Sequence, residues 1–561
     1  MSIPLSAAAQ QRLRDLVIGV SLGNLCVLRR WYYVEQLQAN SLDYFRTHPP
    51  TNTLLYATLL TAASLSAIFW LVATLVRATG NRWLLSAARA GFLALLIVPL
   101  ETIRRYWNYQ SGHADWVSNL SLVALDGVLL AGIVAVLRGH VRILHAAERV
   151  ASLMILFVPI FLVYFAGMHS EMEPRAAYLQ RPSLPLLPAR PGSFDKARGN
   201  RPAPRVIWLL FDELDQRLTF DQRQPGVELP ELDRLRSESF AGTHALQTAG
   251  WTMLAVPSML SGEIFEHSES ADASTLLVQS AGSHALVSWR DQPNVFRKAR
   301  ELGANAAVVG WHHPYCRVLG DSLARCFDEV GGMATDALAR ETYAAEQGFW
   351  KSVGLTFASR WQSFAGLLDP GSHPAEHALD GYMQKRQQQE YFRIRDRAYQ
   401  QAADPRIDFL FVHFPAPHLF AIYDAKRKDF TLSDKTTYFD NLALVDRTVG
   451  ELRRTLEQAG LWESTSILIT SDHGLRYELW HGGLNWTPEF DRLLEGGQSP
   501  TVPFILKLAG ETKSAVYEPP FSNVVGGDLS LAVLRGEVST SAQAAAWIEG
   551  HGDLQHVTAE R

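Results

Sequence analysis

The sequence predicts two unlike parts: an α-helical membrane domain of about five transmembrane helices, followed by an α/β domain with a mostly parallel central sheet flanked by helices. Long apolar stretches occur in the first 170 residues, and short apolar runs alternate with helical patterns after them. Charge divides in the same way. Residues 1–150 contain thirteen Arg, no Lys and seven acidic residues and so carry +6, whereas the 561-residue chain carries −5, which leaves −11 for residues 151–561. This composition excludes a disordered chain and shows no overall basic excess that would indicate nucleic-acid binding.

Two apolar stretches are long enough to cross a bilayer. Residues 54–76 are 23 residues without a charge, and residues 150–168 are 19. About twenty apolar residues in a helix cross a hydrocarbon core of about 30 Å. Three shorter or charge-interrupted segments complete the five predicted spans: residues 16–28, residues 83–103 with Arg89, and residues 116–137 with Asp126.

The arginines around these segments predict the orientation. Arg29 and Arg30 follow the first apolar run where a signal peptide would need small residues, so an uncleaved anchor is preferred there. With a cytoplasmic N-terminus, eight Arg lie on the inside and five on the outside. We therefore expect a multi-pass protein of a bacterial-type inner (plasma) membrane, with everything after residue 168 on the periplasmic or extracellular face.

The predicted domain boundaries follow from composition. Residues 1–169 form the membrane domain, and residues 170–204 contain seven prolines, too many for a packed helix or a central strand. This stretch is interpreted as an extended linker. The α/β domain is assigned to residues 205–540, and residues 541–561 to a C-terminal tail.

Short continuous apolar runs predict strands that are buried on both faces. Five such runs are residues 206–211, 306–309, 409–412, 467–470 and 502–506. Helical patterns lie between them, as in residues 438–459, and this alternation predicts a parallel sheet. Ligands of such sheets bind at the carboxyl ends of the strands.

Polar residues stand at four such places. They are Asp212 and Glu213; Asp472 and His473, with His481 further on; His413 and His418; and Thr252 before an apolar helical run. Carboxylates and imidazoles that converge at one edge are what a divalent metal needs, and a hydroxyl near the metal can act as a nucleophile. Each residue also has a structural reading: Asp472 and His473 in a turn, His413 in the core, and Thr252 as a helix N-cap.

Four segments resemble the alkaline phosphatase/sulfatase superfamily: residues 230–262, FLFVHFPAPH at 409–418, residues 438–474 ending in TSDHG, and VPFILK at 502–507. The resemblance covers about residues 205–535. With five membrane spans in front, the chain looks like the lipid A phosphoethanolamine transferases and the lipoteichoic acid synthases.

The resemblance implies a role for each matching residue. Thr252 lies ten residues before Gly262, where sulfatases place the residue that matures to formylglycine and the lipid-dependent transferases have a Thr nucleophile. The resemblance also implies that the metal ligands are Asp472, His473 and either Asp212 or Glu213. It implies that His418 and His481 hold the transferred group or protonate the leaving oxygen. Substrate binding is assigned to His413 and His312.

Departures from the family patterns narrow the chemistry. Val256 replaces the Arg that follows the sulfatase nucleophile, and lysines that sulfatases keep are missing beside His312 and His481, which argues against sulfate esters. The upstream motif also lacks the Gly-Glu-Thr of the phosphoethanolamine transferases. Without an Asp-x-x-x-His pair, one divalent metal is expected rather than two: zinc first, with manganese, magnesium and calcium as alternatives.

The leading hypothesis is a membrane-bound, metal-dependent phosphoryl-group transferase of phosphoethanolamine or phosphoglycerol type. Thr252 would take the group from a membrane lipid donor and pass it to an envelope glycan or lipid acceptor. One alternative is a tethered hydrolase, meaning a phosphodiesterase, phosphonate hydrolase or, less favoured, sulfatase. An alternative of another class is a catalytically silent envelope-assembly scaffold.

Cysteine usage fits an oxidising compartment. Cys316 and Cys326 are the only cysteines after the membrane domain and could close a short loop as a disulfide. Two buried thiols are the alternative.

Overall fold

The computed structural model describes residues 6–28, 31, 40–46, 52–96, 99–100, 104, 115–171, 180–187, 204–330, 348–354, 357, 374–481, 485–487, 490 and 499–552. The chain forms two compact units. The first comprises Met1–Ala39, Pro50–Glu173 and Asp336–His377, and the second comprises Asn40–Pro49, Pro174–Thr335 and Ala378–Arg561.

The first unit is helical. Its helices are α1 (Ala7–Cys26), α2 (Thr53–Ala78), α3 (Arg82–Leu95), α4 (Asp115–Leu137), α5 (Val141–Leu153) and α6 (Phe157–Glu171). In the described part of the chain, two helices are long and apolar enough to cross a membrane, Thr53–Ala78 and Val141–Gly167. These two cover most of the two charge-free stretches. Helices also lie in the other three predicted segments, and the total of five spans stays a prediction.

Close packing and ion pairs hold α1 in this unit. A Cβ on Gly23 would lie 2.1 Å from Oγ of Ser66, so only glycine permits this approach of α1 to α2. The buried carboxylate of Asp15 on α1 pairs with Arg77 at the end of α2, with Nη2 and Oδ1 2.9 Å apart. Helix α1 thus packs closely against α2 at Gly23 and forms an ion pair with it at Asp15.

The second unit is built on a nine-stranded sheet. Its strands and those of two small sheets are β1 (Arg205–Phe211), β2 (Phe240–Leu246), β3 (Phe265–Asp272), β4 (Thr275–Ser280), β5 (Val287–Ser288), β6 (Ala306–Trp311), β7 (Arg325–Glu329), β8 (Phe409–Phe414), β9 (Tyr423–Asp424), β10 (Asp429–Phe430), β11 (Thr465–Thr470), β12 (Thr501–Lys507), β13 (Ala515–Tyr517) and β14 (Phe521–Ser522). Its helices are α7 (Pro230–Glu238), α8 (Thr252–Ser261), α9 (Val295–Glu301), α10 (Tyr315–Val318), α11 (Pro374–Ala402), α12 (Tyr438–Gln458), α13 (Tyr477–Trp480), α14 (Gly526–Arg535) and α15 (Ser541–His551).

All five apolar runs form strands of the central sheet, as predicted. The strand order of the central sheet is β13-β2-β12-β11-β1-β8-β6-β7, and β14 pairs with β2. Strands β11, β1, β8, β6 and β7 are parallel neighbours. Every residue of β1, β6, β8 and β11 is buried, which is why these strands are apolar on both faces. The predicted α/β architecture with a mostly parallel sheet is therefore confirmed.

The direction of β2 places the start of α8 at the site edge of the sheet. Strand β12 is antiparallel to both β11 and β2, so β2 runs in the same direction as β11. The carboxyl end of β2 therefore lies at the same edge as the carboxyl ends of β1, β8 and β11. Thr252, six residues after the end of β2, begins α8.

Three segments outside the predicted α/β boundaries also pack in this unit. The 3-10 helix Asn40–Phe45 belongs to it by contact, although it lies between α1 and α2 in the chain. In the Pro-rich stretch, the backbone N–H groups of Arg181 and Leu184 donate to the carbonyls of Cys316 and Leu323. In the region assigned to a tail, α15 buries Ala544 and Ile548 in the main hydrophobic core.

Candidate active site

The polar residues at the strand ends meet at one edge of the sheet. In the pairing of the parallel strands, Leu210 near the end of β1 lies beside Thr470 of β11 on one side and beside His413 of β8 on the other. Asp212 follows β1 and Asp472 follows β11, so parallel pairing brings the two carboxylates together. The convergence expected from the sequence is found here.

Asp212, His413 and Asp472 form a group that could hold a metal ion. One ligand atom from each lies within 4.8 Å of the others, and all three side chains are fully buried. Among the described residues, Oδ1 of Asp212, Nε2 of His413 and Oδ2 of Asp472 have no hydrogen-bond partner. Buried polar atoms are nearly always paired, and two carboxylates with an imidazole are the donors that a divalent cation takes. The residues therefore fit one divalent metal.

The electrostatics of Asp212 agree with this assignment. Burial, and after it the neighbouring carboxylate of Asp472, raises the pKa of Asp212 well above its ordinary value. Two adjacent buried carboxylates repel each other unless a proton or a cation lies between them. The site therefore favours positive charge at this point.

His473 faces the same group with a free lone pair. Its Nδ1 lies 2.9 Å from the carbonyl of Gly474 and donates to it, since a carbonyl oxygen only accepts. Nε2 then carries the lone pair and lies 3.3 Å from Oδ2 of Asp472 and 3.7 Å from Oδ1 of Asp212. Burial lowers the pKa of His473 to about 3, so the ring is neutral, as a metal ligand must be.

Thr252 presents its hydroxyl to this cluster. Oγ1 lies 3.2 Å from Nε2 of His473 and 3.3 Å from Oδ2 of Asp212. The N-cap of α8 is Trp251, and Thr252 is the first helical residue. The capping interpretation of Thr252 is therefore wrong, and the hydroxyl is directed at the buried acidic group instead.

Glu213 has different partners from Asp212. Its Oε1 accepts from Nε of Arg476 at 3.0 Å and its Oε2 from Nε1 of Trp480 at 2.8 Å. Burial alone would raise the pKa of Glu213, but His418 and Arg476 outweigh it and the pKa lies below the ordinary value. Glu213 is thus an ionised carboxylate that is held by hydrogen bonds.

His418 and Arg476 form the polar wall next to Glu213. Nδ1 of His418 donates to the carbonyl of Leu419 at 2.7 Å, so its Nε2 accepts from Nη2 of Arg476 at 3.1 Å. The guanidinium therefore bridges a carboxylate and an imidazole. Arg476 was not identified from the sequence, although it stands three residues after His473 and could be found by asking which charge follows that motif.

The other predicted histidines have different surroundings. His312 is 8% exposed, has a φ of 73°, and among the described residues neither ring nitrogen has a hydrogen-bond partner. Burial and the neighbouring His313 hold the pKa of His312 well below its ordinary value. His481 is exposed and stacks on Tyr477 and Trp486, with ring centroids 4.8 and 5.1 Å apart. His312 is thus a buried imidazole available for a ligand, and His481 belongs to an aromatic cluster.

His413 is assigned to substrate binding in the sequence analysis. The structure places its Nε2 in the possible metal group, 3.4 Å from Oδ2 of Asp212. The hydroxyl of Tyr315 lies 2.9 Å from its Nδ1 and orients the ring. Such an outer partner is typical of a metal-binding histidine.

Cys316 and Cys326 form a disulfide with a sulfur–sulfur distance of 2.10 Å. It joins α10 to β7 and closes the loop that follows the two histidines at the end of β6. The loop that carries His312 is therefore covalently anchored a few residues downstream.

Comparison with known proteins supports the superfamily resemblance. Residues 212–478 match the family model of type I phosphodiesterase / nucleotide pyrophosphatase, a range that begins at Asp212 and includes Thr252, His413 and His473. This match confirms the alkaline phosphatase/sulfatase resemblance. Together the family match and the site indicate a phosphodiesterase-like enzyme.

Solved structures similar to this chain include three of different description. The first is the PsFucS1 sulfatase from Pseudoalteromonas sp., with 16% identity over 66% of this chain and 75% of that chain and a TM-score of 0.40. The second is the lipoteichoic acid synthase LtaP from Listeria monocytogenes, with 14% identity over 62% of this chain and 75% of that chain and a TM-score of 0.36. The third is a protein in the alkaline phosphatase superfamily from Vibrio parahaemolyticus, with 12% identity over 64% of this chain and 73% of that chain and a TM-score of 0.33. No curated protein matches the chain in sequence.

Proposed function

We propose that this protein is a membrane-bound, metal-dependent phosphoryl-group transferase in which Thr252 is the nucleophile. The observation that carries the proposal is the buried Thr252 hydroxyl, 3.2 Å from Nε2 of His473 and 3.3 Å from Oδ2 of Asp212. A hydroxyl held in this way in a water-poor site is oriented for attack, and Oδ2 of Asp212, to which it donates, can receive its proton.

Asp212, His413, Asp472 and His473 would hold one divalent cation, which when bound would supply Lewis acidity and positive charge at the transferred phosphoryl group. The choice of zinc first, before manganese, magnesium or calcium, follows from the imidazoles in the donor set. The position of Thr252 at the first turn of α8 also directs backbone N–H groups and the helix dipole toward an incoming anion.

The proposed reaction has two transfers. Oγ1 of Thr252 attacks the phosphorus of a lipid phosphodiester, the bond from phosphorus to the diacylglycerol oxygen breaks, and that oxygen takes a proton to leave as diacylglycerol. Thr252 then carries the headgroup phosphate as a phosphodiester. An acceptor hydroxyl attacks the same phosphorus, loses its proton, and returns Thr252 to its hydroxyl form.

Three side chains are suited to the phosphate and its protons. Arg476 carries a permanent charge in the wall beside the metal group, and His312 has both ring nitrogens available. His418 has its Nδ1–H bound to a carbonyl and its Nε2 lone pair turned toward Arg476, so it is suited to receive a proton when the guanidinium turns to the substrate. His481, the other residue assigned to proton transfer, would act only if the substrate extends to its aromatic cluster.

Two membrane-length helices support a lipid donor. Thr53–Ala78 and Val141–Gly167 would anchor the enzyme where phospholipid headgroups are concentrated, which raises the effective concentration of the donor. We propose a multi-pass inner-membrane protein with the α/β domain on the periplasmic or extracellular face, acting on phosphoethanolamine or phosphoglycerol headgroups and on an envelope glycan or lipid acceptor.

Mass spectrometry of the Thr252 peptide tests this proposal. The purified full chain is incubated with vesicles of phosphatidylethanolamine or phosphatidylglycerol, quenched in acid and digested. We expect the mass of the corresponding phosphorylated headgroup on Thr252 and release of diacylglycerol, with neither in the Thr252→Ala variant. Diacylglycerol release from lipid by Thr252→Ala would remove Thr252 from the reaction.

A second function is favoured by the family match, because that model describes phosphodiesterases and nucleotide pyrophosphatases. In this case water rather than an acceptor hydroxyl would resolve the Thr252 intermediate. Hydrolysis of bis(p-nitrophenyl) phosphate would favour the hydrolase. So would cleavage of the lipid at the same rate with and without an added acceptor.

A further inference from the structure

The 3-10 helix Asn40–Phe45, which stands between the first two apolar helices in the chain, belongs to the α/β unit. Tyr44, in the 3-10 helix Asn40–Phe45, is fully buried and belongs to the main hydrophobic core. Nη2 of Arg317 donates to its carbonyl at 3.0 Å, and the neighbouring Asp43 and Arg46 form a buried ion pair at 2.8 Å. This segment is therefore held at several points in the interior of the domain.

Tyr44 is connected to the nucleophile through one histidine. Its hydroxyl lies 2.9 Å from Nδ1 of His313, and Nε2 of His313 lies 3.2 Å from the carbonyl oxygen of Thr252. All three residues are buried. The chain positions 44, 313 and 252 thus form one continuous hydrogen-bonded path.

The chemistry of these atoms fixes the direction of each hydrogen bond. A carbonyl oxygen only accepts, so Nε2 of His313 must carry a proton. A fully buried imidazole is neutral and has a single N–H, and burial lowers the pKa of His313 to about 3. Nδ1 therefore accepts, and the hydroxyl of Tyr44 is its donor. Tyr44 selects the tautomer of His313 that can bind the Thr252 carbonyl.

We propose that Tyr44 is a positioning residue for the reaction: through His313 it holds the first residue of α8, and with it the Thr252 hydroxyl, in the attacking position. This inference rests on the proposed role of Thr252. It also makes the 3-10 helix Asn40–Phe45 part of the catalytic apparatus, although it lies outside the domain boundary at residue 205 that the sequence predicts.

The Tyr44→Phe substitution in the full-length chain tests the path, because it keeps the ring and removes only the hydroxyl. We expect kcat for diacylglycerol release from vesicles to fall roughly tenfold, the effect of losing one buried hydrogen bond that orients a reacting group. KM should stay within about twofold, because no substrate contact is removed.

Tyr391→Phe is the matched control. Tyr391 is equally buried in the same unit, and its hydroxyl bonds Oγ1 of Thr448 at 2.6 Å, away from the residues assigned to the reaction. It should lose thermal stability as Tyr44→Phe does, while its kcat stays that of the wild type. An unchanged kcat in Tyr44→Phe, or an equal fall of kcat in both variants, would overturn the proposal.

A double substitution separates the path from a general packing effect. If Tyr44 acts through His313, Tyr44→Phe should lower the kcat of the His313→Leu enzyme no further. If the two residues act independently, their fold-decreases in kcat should multiply. Multiplied effects would overturn the path, and if His313→Leu does not fold, the comparison of Tyr44→Phe with Tyr391→Phe decides. Thr252→Ala is measured alongside: a fully active Thr252→Ala contradicts the proposed function itself, whereas an inactive Thr252→Ala with a wild-type Tyr44→Phe contradicts only the role of Tyr44.

Discussion

Asp212 and Glu213 are adjacent in the chain, but their carboxylates have different partners and opposite pKa shifts. Asp212 faces Asp472 and His413, and its pKa is raised by burial and by the second carboxylate. Glu213, at a φ of 64°, turns to Arg476 and Trp480, and its pKa is lowered. The sequence left open which of the two acids is the upstream metal ligand, and the geometry favours Asp212.

The first prediction compares these two neighbours directly. Asp212→Asn should lose the stoichiometric divalent metal, because it removes a charged ligand from the buried group. Glu213→Gln, the matched control, should keep the metal, since its side chain is engaged by Arg476 and Trp480. Metal content of the two purified variants, measured by inductively coupled plasma mass spectrometry, checks this. Loss of metal from Glu213→Gln with retention in Asp212→Asn would reverse the assignment.

The second prediction concerns the buried pair of Glu213 and Arg476. Arg476→Gln leaves Glu213 as an uncompensated buried charge, which costs about 3–5 kcal/mol of unfolding free energy when a partner is removed. Removing both charges in Glu213→Gln/Arg476→Gln should recover much of this loss. Melting temperatures of the wild type, both single variants and the double variant measure the coupling. A double variant that melts no higher than Arg476→Gln would show that the pair contributes no such coupling.

Activity should not recover with stability. The double variant lacks the guanidinium that we assign to the phosphate, so its turnover should stay at the level of Arg476→Gln. This outcome distinguishes a substrate-binding arginine from one that only compensates Glu213.

The third prediction is a loss of stability in mild acid. Burial lowers the pKa of His313 and His473 to about 3 and that of His413 to about 4, each from an ordinary value of 6.5. Below about pH 6.5 the unfolded chain binds protons at these three histidines that the folded chain does not, so their contribution to the free energy of unfolding falls as the pH is lowered. The slope approaches about 4 kcal/mol per pH unit if all three histidines contribute.

Thermal unfolding at constant ionic strength, in the presence of a chelator, measures this slope without competition from metal. The contribution of these histidines should be nearly constant between pH 7 and 9 and should fall below pH 6.5, where the raised pKa values of Asp212, Asp328 and Asp446 act in the opposite direction. NMR titration of the imidazole rings in the folded chain separates the two contributions, and a ring among the three that takes up a proton between pH 7 and pH 5 would contradict the prediction.

The sheet and much of the site could be predicted because both depend on short-range patterns. Strands buried on both faces must be apolar throughout, so β1, β6, β8, β11 and β12 were visible as short runs. The polar residue that ends each of the parallel runs β1, β6, β8 and β11 then lies at the shared carboxyl edge by the direction of a parallel sheet alone. This reasoning brought Asp212 and Asp472 together from positions 260 residues apart.

The remaining parts of the site depend on contacts that no local pattern encodes. Asp212 rather than Glu213 faces the metal group in a turn where Glu213 has a φ of 64°, and Nδ1 of His413 is bonded to the distant Tyr315. Tyr44 lies among membrane segments in the sequence, where a buried tyrosine of another domain leaves no periodic or compositional signal. Its position follows only from the three-dimensional path to His313.

The last prediction separates the two readings that the sequence allowed for Thr252. As a helix N-cap, Thr252→Ala would lower stability by about 1 kcal/mol and leave turnover intact. As the nucleophile, it should lower turnover by roughly 10³-fold or more while the melting temperature and metal content hold. Thr252→Ser keeps the hydroxyl without the methyl group and should retain activity within about tenfold, whereas Thr252→Val keeps the shape and should be as inactive as Thr252→Ala. Ser keeps the hydroxyl and loses the methyl group, whereas Val keeps the shape and loses the hydroxyl. An active Thr252→Val with an inactive Thr252→Ser would therefore show that Thr252 serves packing. Structure favours the nucleophile, since Trp251 is the cap and the Thr252 hydroxyl faces His473 and Asp212.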